Sequence, residues 1–474
     1  ERAMTPVESF RSKSVAVFGL GGSGLSTARA LIAGGAQVSA WDDSDSSRQS
    51  AAREHIPLVD LSSASWRDFA ALVLSPGVPL THPKPHWTVE KAKAAHVPVI
   101  GDIELFCLER QKRAPHAPFV AITGTNGKST TTALIAHLLK SSGRDVALGG
   151  NIGTAVLDLA PPSDDRVHVL EISSFQIDLA PSLSVPNLAP TIAVLTNITP
   201  DHLDRHGTMD NYVSVKERLV AAAQTAIIGV DDSYCRAIAE RRTAHKQKTI
   251  RIALEKQPDQ GMGLEGTSLV WTWGREQRMI ADLKAVPTLR GRHNAQNAAA
   301  AVAAVMHLGL TDEQIRAGLA TFPGLPHRLE MVGHVGRALA INDSKATNAD
   351  ATEKALLSFE GGLFWIIGGR AKEGGITTLK QLFSRVEKAY LIGEAASSFT
   401  QTLKTHVPYE HADTLDEAVR RAVRDAQTSS HKEPVVLLSP ACASYDQFKN
   451  FEMRGDAFRQ FVSAQPGFVA MKKG

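Results

Sequence analysis

Short apolar or β-branched runs alternate with helical patterns along the chain, an order that predicts parallel sheets covered by helices and so the α/β class. Ser14 to Phe18 reads as a strand, Gly24 to Ala33 as a helix closed at Gly34-Gly35, and Ala36 to Trp41 as the next strand. Ala71 to Leu74 and Val97 to Ile100 continue that sheet. The stretch Gln111 to Pro118 is charged, carries prolines and has no periodicity, which sets a first boundary and a first domain over 1–113. The pattern then restarts with a strand at Phe119 to Thr123, a glycine loop, and a helix from Lys128 to Lys140 that Gly143 stops with a left-handed residue. Strands follow at Val167 to Leu170 and Ile192 to Thr196. Gly291 to Leu308 forms an alanine-rich helix, and Thr311 with Gln314 forms a capping box that opens another. Pro323 and Pro326 interrupt the chain near Phe322, giving a second domain over 114–323 and a third over 324–474. In the third, Ala338 to Ile341, Phe364 to Ile367, Ala389 to Ile392 and Val435 to Leu438 read as strands.

Composition narrows the class without naming a function. The chain has 474 residues, more than one hydrophobic core usually serves, and its 43% hydrophobic and 21% charged content fits globular domains. The formal charge of +3 is small and evenly spread, so no nucleic-acid partner is expected. Cys107, Cys235 and Cys442 stand far apart, which suggests neither a disulfide framework nor a zinc site. No apolar run is long enough to span a bilayer, and the opening residues lack an export pattern, so a cytoplasmic protein is expected.

Candidate chemistry begins at Gly124-Thr125-Asn126-Gly127-Lys128-Ser129-Thr130, between a strand and a helix. Glycines let backbone N–H groups close on a phosphate, the helix N-terminus adds its positive end, Lys128 meets β- and γ-oxygens, and Ser129 can ligate Mg²⁺. The usual spacing needs a glycine where Ile122 stands, so this is a shortened variant. A plain strand-turn-helix corner rarely needs Gly-Lys-Ser-Thr in that order.

A second glycine loop, Gly19-Leu20-Gly21-Gly22-Ser23-Gly24, precedes Asp42 and Asp43 by about twenty residues and matches a dinucleotide fingerprint. Any diphosphate can sit on the same helix N-terminus. With ATP chemistry already supplied by the other loop, this one reads as a cradle for a diphosphate-bearing substrate.

Glu171 follows an apolar strand, where strand ends of α/β sheets present ligands to the crevice. Mg²⁺ takes one or two such protein oxygens and fills the rest with phosphate and water. The turn Asn197 to His206 concentrates polar groups, and that company favours a functional His202 over a capping one. Lys216, taken from the sequence alone, reads as a solvated helical lysine facing ion-pair partners.

Together, Gly124 to Ser129, Glu171-Ile172-Ser173-Ser174-Phe175-Gln176, Asn197 to Asp204 and His293-Asn294-Ala295-Gln296-Asn297 resemble the Mur ligase family over nearly the whole chain. Asn342-Asp343-Ser344-Lys345-Ala346-Thr347-Asn348 and the run from Ser439 to Phe451 resemble its D-glutamate-adding branch. The resemblance implies three domains: an N-terminal Rossmann-like domain that binds the UDP-substrate, a central P-loop-type ATPase with a parallel sheet, and a C-terminal Rossmann-like domain with amino-acid contacts. It implies an ATP- and Mg²⁺-dependent monomer that acts on UDP-N-acetylmuramoyl-L-alanine and D-glutamate in peptidoglycan precursor synthesis. Phosphate-side roles fall to Gly124 through Thr130 and to Asn294, adenine or ribose roles to Asn297, Arg328 and Asp343, and Mg²⁺ roles to Ser129, Glu171 and His202. Lys216 is implied to be carbamylated, an anionic metal ligand, which replaces the solvated reading. UDP-substrate contacts fall to Gly22, Ser23, Gly24, Asp42, Asp43, Gly77, Asn151, Ser173 and Gln176. D-Glutamate contacts fall to Lys345, Thr347, Lys372, Ser444 and Phe451. The catalytic set is Lys128, His202 and Lys216.

The chemistry that follows is activation of a carboxylate by phosphorylation, then capture of the acyl phosphate by an amine. Two other classes of function compete: an oxidoreductase using the first glycine loop, and a nucleotide switch without ligation. The second leaves the Asp343 motif and the Ser444 to Phe451 run without a purpose. A folylpolyglutamate-type ligase or another amino-acid adder is the nearer rival, and the segment Ser439 to Ser444 argues against both.

Overall fold

The computed structural model describes residues 3–151, 153–372 and 374–471. Three sheets carry the fold, and each expected strand falls in one of them. The first has the order Gln37–Trp41, Ser14–Phe18, Phe69–Leu74, Val99–Ile100, with all neighbours parallel. The connecting helix is Gly22–Ala33, and Gly35 supplies the left-handed residue beyond it at φ 94°.

The second sheet has nine strands. Its parallel core places Phe119–Thr123 between Ile192–Leu195 and Arg166–Glu171, with Asp145–Gly150 outside the latter. Phe119–Thr123 is wholly buried, as its unbroken apolar character requires of a central parallel strand. On its other side the sheet continues through Thr225–Gly229 and Thr249–Ile252 to Gln260–Glu265, Ser268–Trp273 and Glu276–Asp282. Gln260–Glu265 pairs antiparallel with Ser268–Trp273, an extension the sequence reading did not anticipate. The helix after the glycine loop runs Lys128–Ser141 and buries Leu134, Ile135, Leu138 and Leu139, and Gly143 follows it at φ 89°.

The third sheet has seven strands, with a parallel core in the order Tyr409–Asp413, Val386–Ile392, Leu363–Gly368, Val435–Leu438, Ala338–Asn342. Glu330–Val335 and Phe468–Ala470 extend it antiparallel. The aperiodic segment at Gln111 is partly helical, since Asp102–Arg113 continues to its third residue. Thr311 and Gln314 form the expected reciprocal cap, at 2.9 and 3.2 Å.

The chain divides into two compact units: Glu1–Ala281 with Gln296–Arg316, and Asp282–Ala295 with Ala317–Gly474. The first holds the first two sheets. Among the described residues no helix is long and apolar enough to cross a membrane.

Candidate active site

The register of the second sheet sets Ile122 opposite Glu171 and Thr123 opposite Leu195, so the carboxyl ends of three adjacent strands deliver Gly124, Glu171 and Thr196 to one place. This is where open parallel sheets take ligands. Gly124 and Gly127 have φ of 149° and 83°, and side chains there would collide with Thr196 Oγ1 at 1.8 Å and Asn297 Oδ1 at 2.1 Å. Only glycine allows the loop its path. Asn197 holds the loop's outer turn, accepting from the Asn126 N–H at 2.9 Å and donating to the Asn126 carbonyl at 3.0 Å.

Lys128 and Ser129 open the helix. The Lys128 ammonium donates to the Gly124 and Thr125 carbonyls at 2.9 and 3.1 Å, and Ser129 Oγ donates to the Glu171 carboxylate at 3.1 Å. Glu171 is buried. Thr125 Oγ1 bridges the Thr199 backbone and the Tyr212 hydroxyl, which lies 3.0 Å away, and so ties the loop to the turn that carries His202. Thr130 lies half-buried in the same first helical turn.

The solvated reading of Lys216 is overturned. The side chain is buried, and its Nζ donates to Thr123 Oγ1 and to the Gly124 carbonyl, both at 2.9 Å. Burial, and next the Lys128 cation, push its ammonium down to about 7. The helix Met209–Ala221 has an apolar face of Tyr212, Val215, Leu219 and Val220, and Lys216 lies on that face.

His202 is exposed, sits at φ 50° ahead of the short helix Leu203–His206, and has Nε2 3.4 Å from Asp201. Phe175 meets its ring edge-on at 5.0 Å and stacks on His206 at 5.3 Å.

In the first glycine loop, Asp42 accepts the Leu20 N–H at 2.7 Å and the Ser44 N–H at 2.8 Å. Asp43 bonds His86 Nε2 at 2.9 Å and the Trp87 indole N–H at 3.3 Å. Gly22 and Ser23 share a cleft of about 820 Å³ with Asn151, whose N–H donates to the Glu171 carbonyl at 2.7 Å. Gly24 lies buried against the Gly19 carbonyl, and Gly77 is exposed. Ser173 and Gln176 bond each other as a capping box, at 3.2 and 3.0 Å, directly after Glu171.

Within the second unit, Asn294 donates to the Arg290 carbonyl at 2.9 Å. Asp343 accepts from Ser439 Oγ at 2.7 Å and from the Leu329 N–H at 3.2 Å, next to Arg328; burial pushes its carboxyl up to about 7. Lys345 lies 5.8 Å over the Phe451 ring, Lys372 donates to Thr347 Oγ1 at 3.2 Å, and Ser444 is buried at the end of the Ser439 segment.

Sequence profiles of the family match in chain order: the Mur ligase MurD-like N-terminal domain at residues 13–101, the Mur ligase middle domain at 122–305, and the Mur ligase glutamate ligase domain at 327–442. The UDP-N-acetylmuramoylalanine–D-glutamate ligase of Brucella abortus is 57% identical over 471 residues, spanning 99% of this chain and all of that protein. This chain belongs to the Mur ligase family. The protein of the same name from Mesorhizobium japonicum is 59% identical over 464 residues, 98% of each chain. Among solved structures, the UDP-N-acetylmuramate-alanine ligase of Thermotoga maritima shares the fold at a TM-score of 0.55 and 20% identity, covering 96% of this chain and all of its own. MurF from Acinetobacter baumannii does so at 0.52 and 19%, covering 75% of this chain and 79% of its own.

In this Mur ligase several site-building residues escaped the sequence reading. Thr123 and Tyr212 hold Lys216 and Thr125, and Arg454 is buried with bonds to the Ser344 hydroxyl and carbonyl and to the Cys442 carbonyl at 3.0, 2.8 and 3.0 Å. The apolar stripe around Lys216 was the one available signal; for Arg454 the long sequence separation left none.

Proposed function

We propose that this Mur ligase adds D-glutamate to UDP-N-acetylmuramoyl-L-alanine at the expense of ATP, through an acyl phosphate, as a cytoplasmic monomer in peptidoglycan precursor synthesis. The observation that carries the ligase chemistry is the Ser129–Glu171 pair beside Lys128 at the mouth of a glycine loop closed to any side chain. The choice of D-glutamate is supported by near-full-length identity to proteins named for that reaction. The domains are taken as 1–113, 114–323 and 324–474.

Mur ligases depend on ATP and Mg²⁺, and the donor set here fits both. Ser129 and Glu171 offer hard oxygens of the kind Mg²⁺ takes alongside phosphate and water. Ser129, Glu171, His202 and carbamylated Lys216 would hold Mg²⁺, which when bound supplies charge neutralisation at the transferring phosphoryl group. Lys216 suits carbamylation because its amine, lowered to about 7, is available in neutral form to attack CO₂, forming the N–C bond and releasing one proton. The product anion relieves the repulsion between two neighbouring ammonium groups.

Lys128 leaves the loop carbonyls for the β- and γ-phosphate oxygens of ATP and steadies the charge that builds as the substrate carboxylate attacks. Asn294, Asn297, Arg328 and Asp343 take the remaining nucleotide contacts. Gly22, Ser23, Gly24, Asp42, Asp43, Gly77, Asn151, Ser173 and Gln176 receive the UDP-substrate. Lys345 and Lys372 face the carboxylates of D-glutamate, with Thr347, Ser444 and Phe451 fixing its orientation. The proton that the incoming amine loses is carried off by the departing phosphate, and His202, exposed beside Asp201, serves the metal.

The test is phosphate release with ATP, Mg²⁺ and UDP-N-acetylmuramoyl-L-alanine, comparing D-glutamate with L-glutamate, D-alanine and L-alanine. Release is expected with D-glutamate alone; release without any amino acid, or equal release with all four, overturns the reading.

A further inference from the structure

Arg205 comes from the short helix after His202, yet its guanidinium leaves the second sheet and reaches the first. Its Nη2 donates to the Pro76 carbonyl at 3.0 Å and the Val78 carbonyl at 3.1 Å, and Nη1 donates to the Gly77 carbonyl at 3.2 Å. Three consecutive carbonyls of one loop are thus gathered on one side chain. The guanidinium also lies 4.3 Å from the Phe175 ring centroid, the ring that touches His202 and His206. A planar fork spreads these contacts over two nitrogens beside the ring, whereas an ammonium would have to make all three from one.

The gathered loop has a second attachment. Ser75 donates its N–H to the Phe18 carbonyl at 3.0 Å and its hydroxyl to the Gly19 carbonyl at 3.1 Å, so the residues that Arg205 holds continue into the support of the first glycine loop. Peptide planarity sets each N–H opposite its carbonyl. With the Pro76 carbonyl turned to Arg205, the Gly77 N–H is turned away from it. Gly77 is exposed, and a side chain there would meet nothing within 4 Å.

We propose that Arg205 is a positioning residue for the diphosphate-bearing substrate: by gathering the Pro76, Gly77 and Val78 carbonyls it presents the Gly77 amide and steadies the first glycine loop, and so sets affinity for that substrate and not for ATP. The inference rests on the proposed function for the identity of the substrate, while its physical content is recognition of a uridine diphosphate. It also gives the turn carrying His202 a direct hold on the substrate loop, because only Leu203 and Asp204 separate His202 from Arg205.

The experiment uses the full chain with Arg205→Ala and Arg205→Lys, the latter keeping the charge over Phe175 while losing the fork. Calorimetric titration with UDP is expected to show affinity reduced roughly tenfold or more in Arg205→Ala and by a smaller factor in Arg205→Lys, the scale of losing a charge-assisted hydrogen bond. In phosphate release, KM for UDP-N-acetylmuramoyl-L-alanine is expected to rise by a similar factor while KM for ATP moves less than about twofold. UDP affinity equal in all three proteins, or no UDP binding by any of them, overturns the inference. So does a parallel rise of both KM values with a lowered melting temperature, which marks a merely structural arginine. Failure of the wild-type protein to release phosphate with D-glutamate strikes the functional reading instead and leaves the UDP titration to decide Arg205.

Discussion

The Ser129 hydroxyl stands 3.1 Å from the Glu171 carboxylate although 42 residues separate them, because the strand ending at Glu171 pairs directly with the strand that feeds the glycine loop. A carboxylate in that position supplies negative charge to a cation shared with phosphate. Glu171→Gln keeps the volume and removes the charge. Phosphate release is expected to fall about 100-fold or more, the scale of losing one electrostatic partner of a transition state. Half-maximal Mg²⁺ should rise, with the melting temperature close to wild type. Unchanged Mg²⁺ dependence would assign Glu171 a structural role.

Lys216 gives a pH signature. Its folded value of about 7 lies below the ordinary 10.5. Below pH 7 both folded and unfolded chains hold the proton, and the full cost of burying the charge opposes folding. Between 7 and 10.5 the unfolded chain binds more protons than the folded one, so stability rises with pH. Lys216→Met should remove that rise and be the more stable protein near pH 6. Incubation with ¹³C-bicarbonate should give a carbamate carbon resonance in the wild type, absent from Lys216→Met.

Asp102 titrates in the opposite sense. It is buried at the start of the helix Asp102–Arg113, accepts the Ile103 N–H at 2.9 Å, and burial pushes its carboxyl from 3.8 up to about 6. Below about pH 4 both states are protonated; between 4 and 6 only the folded state keeps the proton, so this group's contribution falls as pH rises through that window. Asp102→Asn keeps the acceptor without the charge. It is expected to flatten the slope there and to raise stability at pH 7 by up to about 3 kcal/mol, read by urea denaturation at each pH.

Arg454 keeps its charge in a buried place, lowered by burial only to about 10. Its bonds to Ser344 and Cys442 join the segment that precedes Lys345 to the segment that leads to Ser444. Arg454→Ala leaves buried carbonyls unpartnered and should cost about 3 kcal/mol in chemical denaturation. Arg454→Lys should cost less, and in both variants KM for D-glutamate should rise more than KM for ATP.

The glycine loop was legible because phosphate binding constrains backbone and side chain within a few consecutive residues. The parallel strands around it were legible too, since burial on both faces leaves unbroken apolar runs such as Phe119–Thr123. The antiparallel strands between Gln260 and Asp282 were not, because Glu276–Asp282 is largely exposed and polar and lacks such a run. The solvated reading of Lys216, taken from its residues alone, was misled by its chemistry: helical phase placed it with Tyr212 and Leu219, but charge argued for solvent, and packing prevailed. Arg205 was out of reach for another reason. Its partners are backbone carbonyls more than a hundred residues earlier, and carbonyls leave no mark in a sequence.

Both oxygens of the Asp42 carboxylate are occupied by backbone N–H groups of its own neighbourhood, Leu20 on one side and Ser44 on the other. In nicotinamide enzymes the acidic residue at this point of the fingerprint turns outward to a ribose hydroxyl. Here the same letter of the motif braces the loop from within, and each oxygen keeps a lone pair for an incoming hydroxyl, so one carboxylate stiffens the loop and can still meet the sugar of a nucleotide.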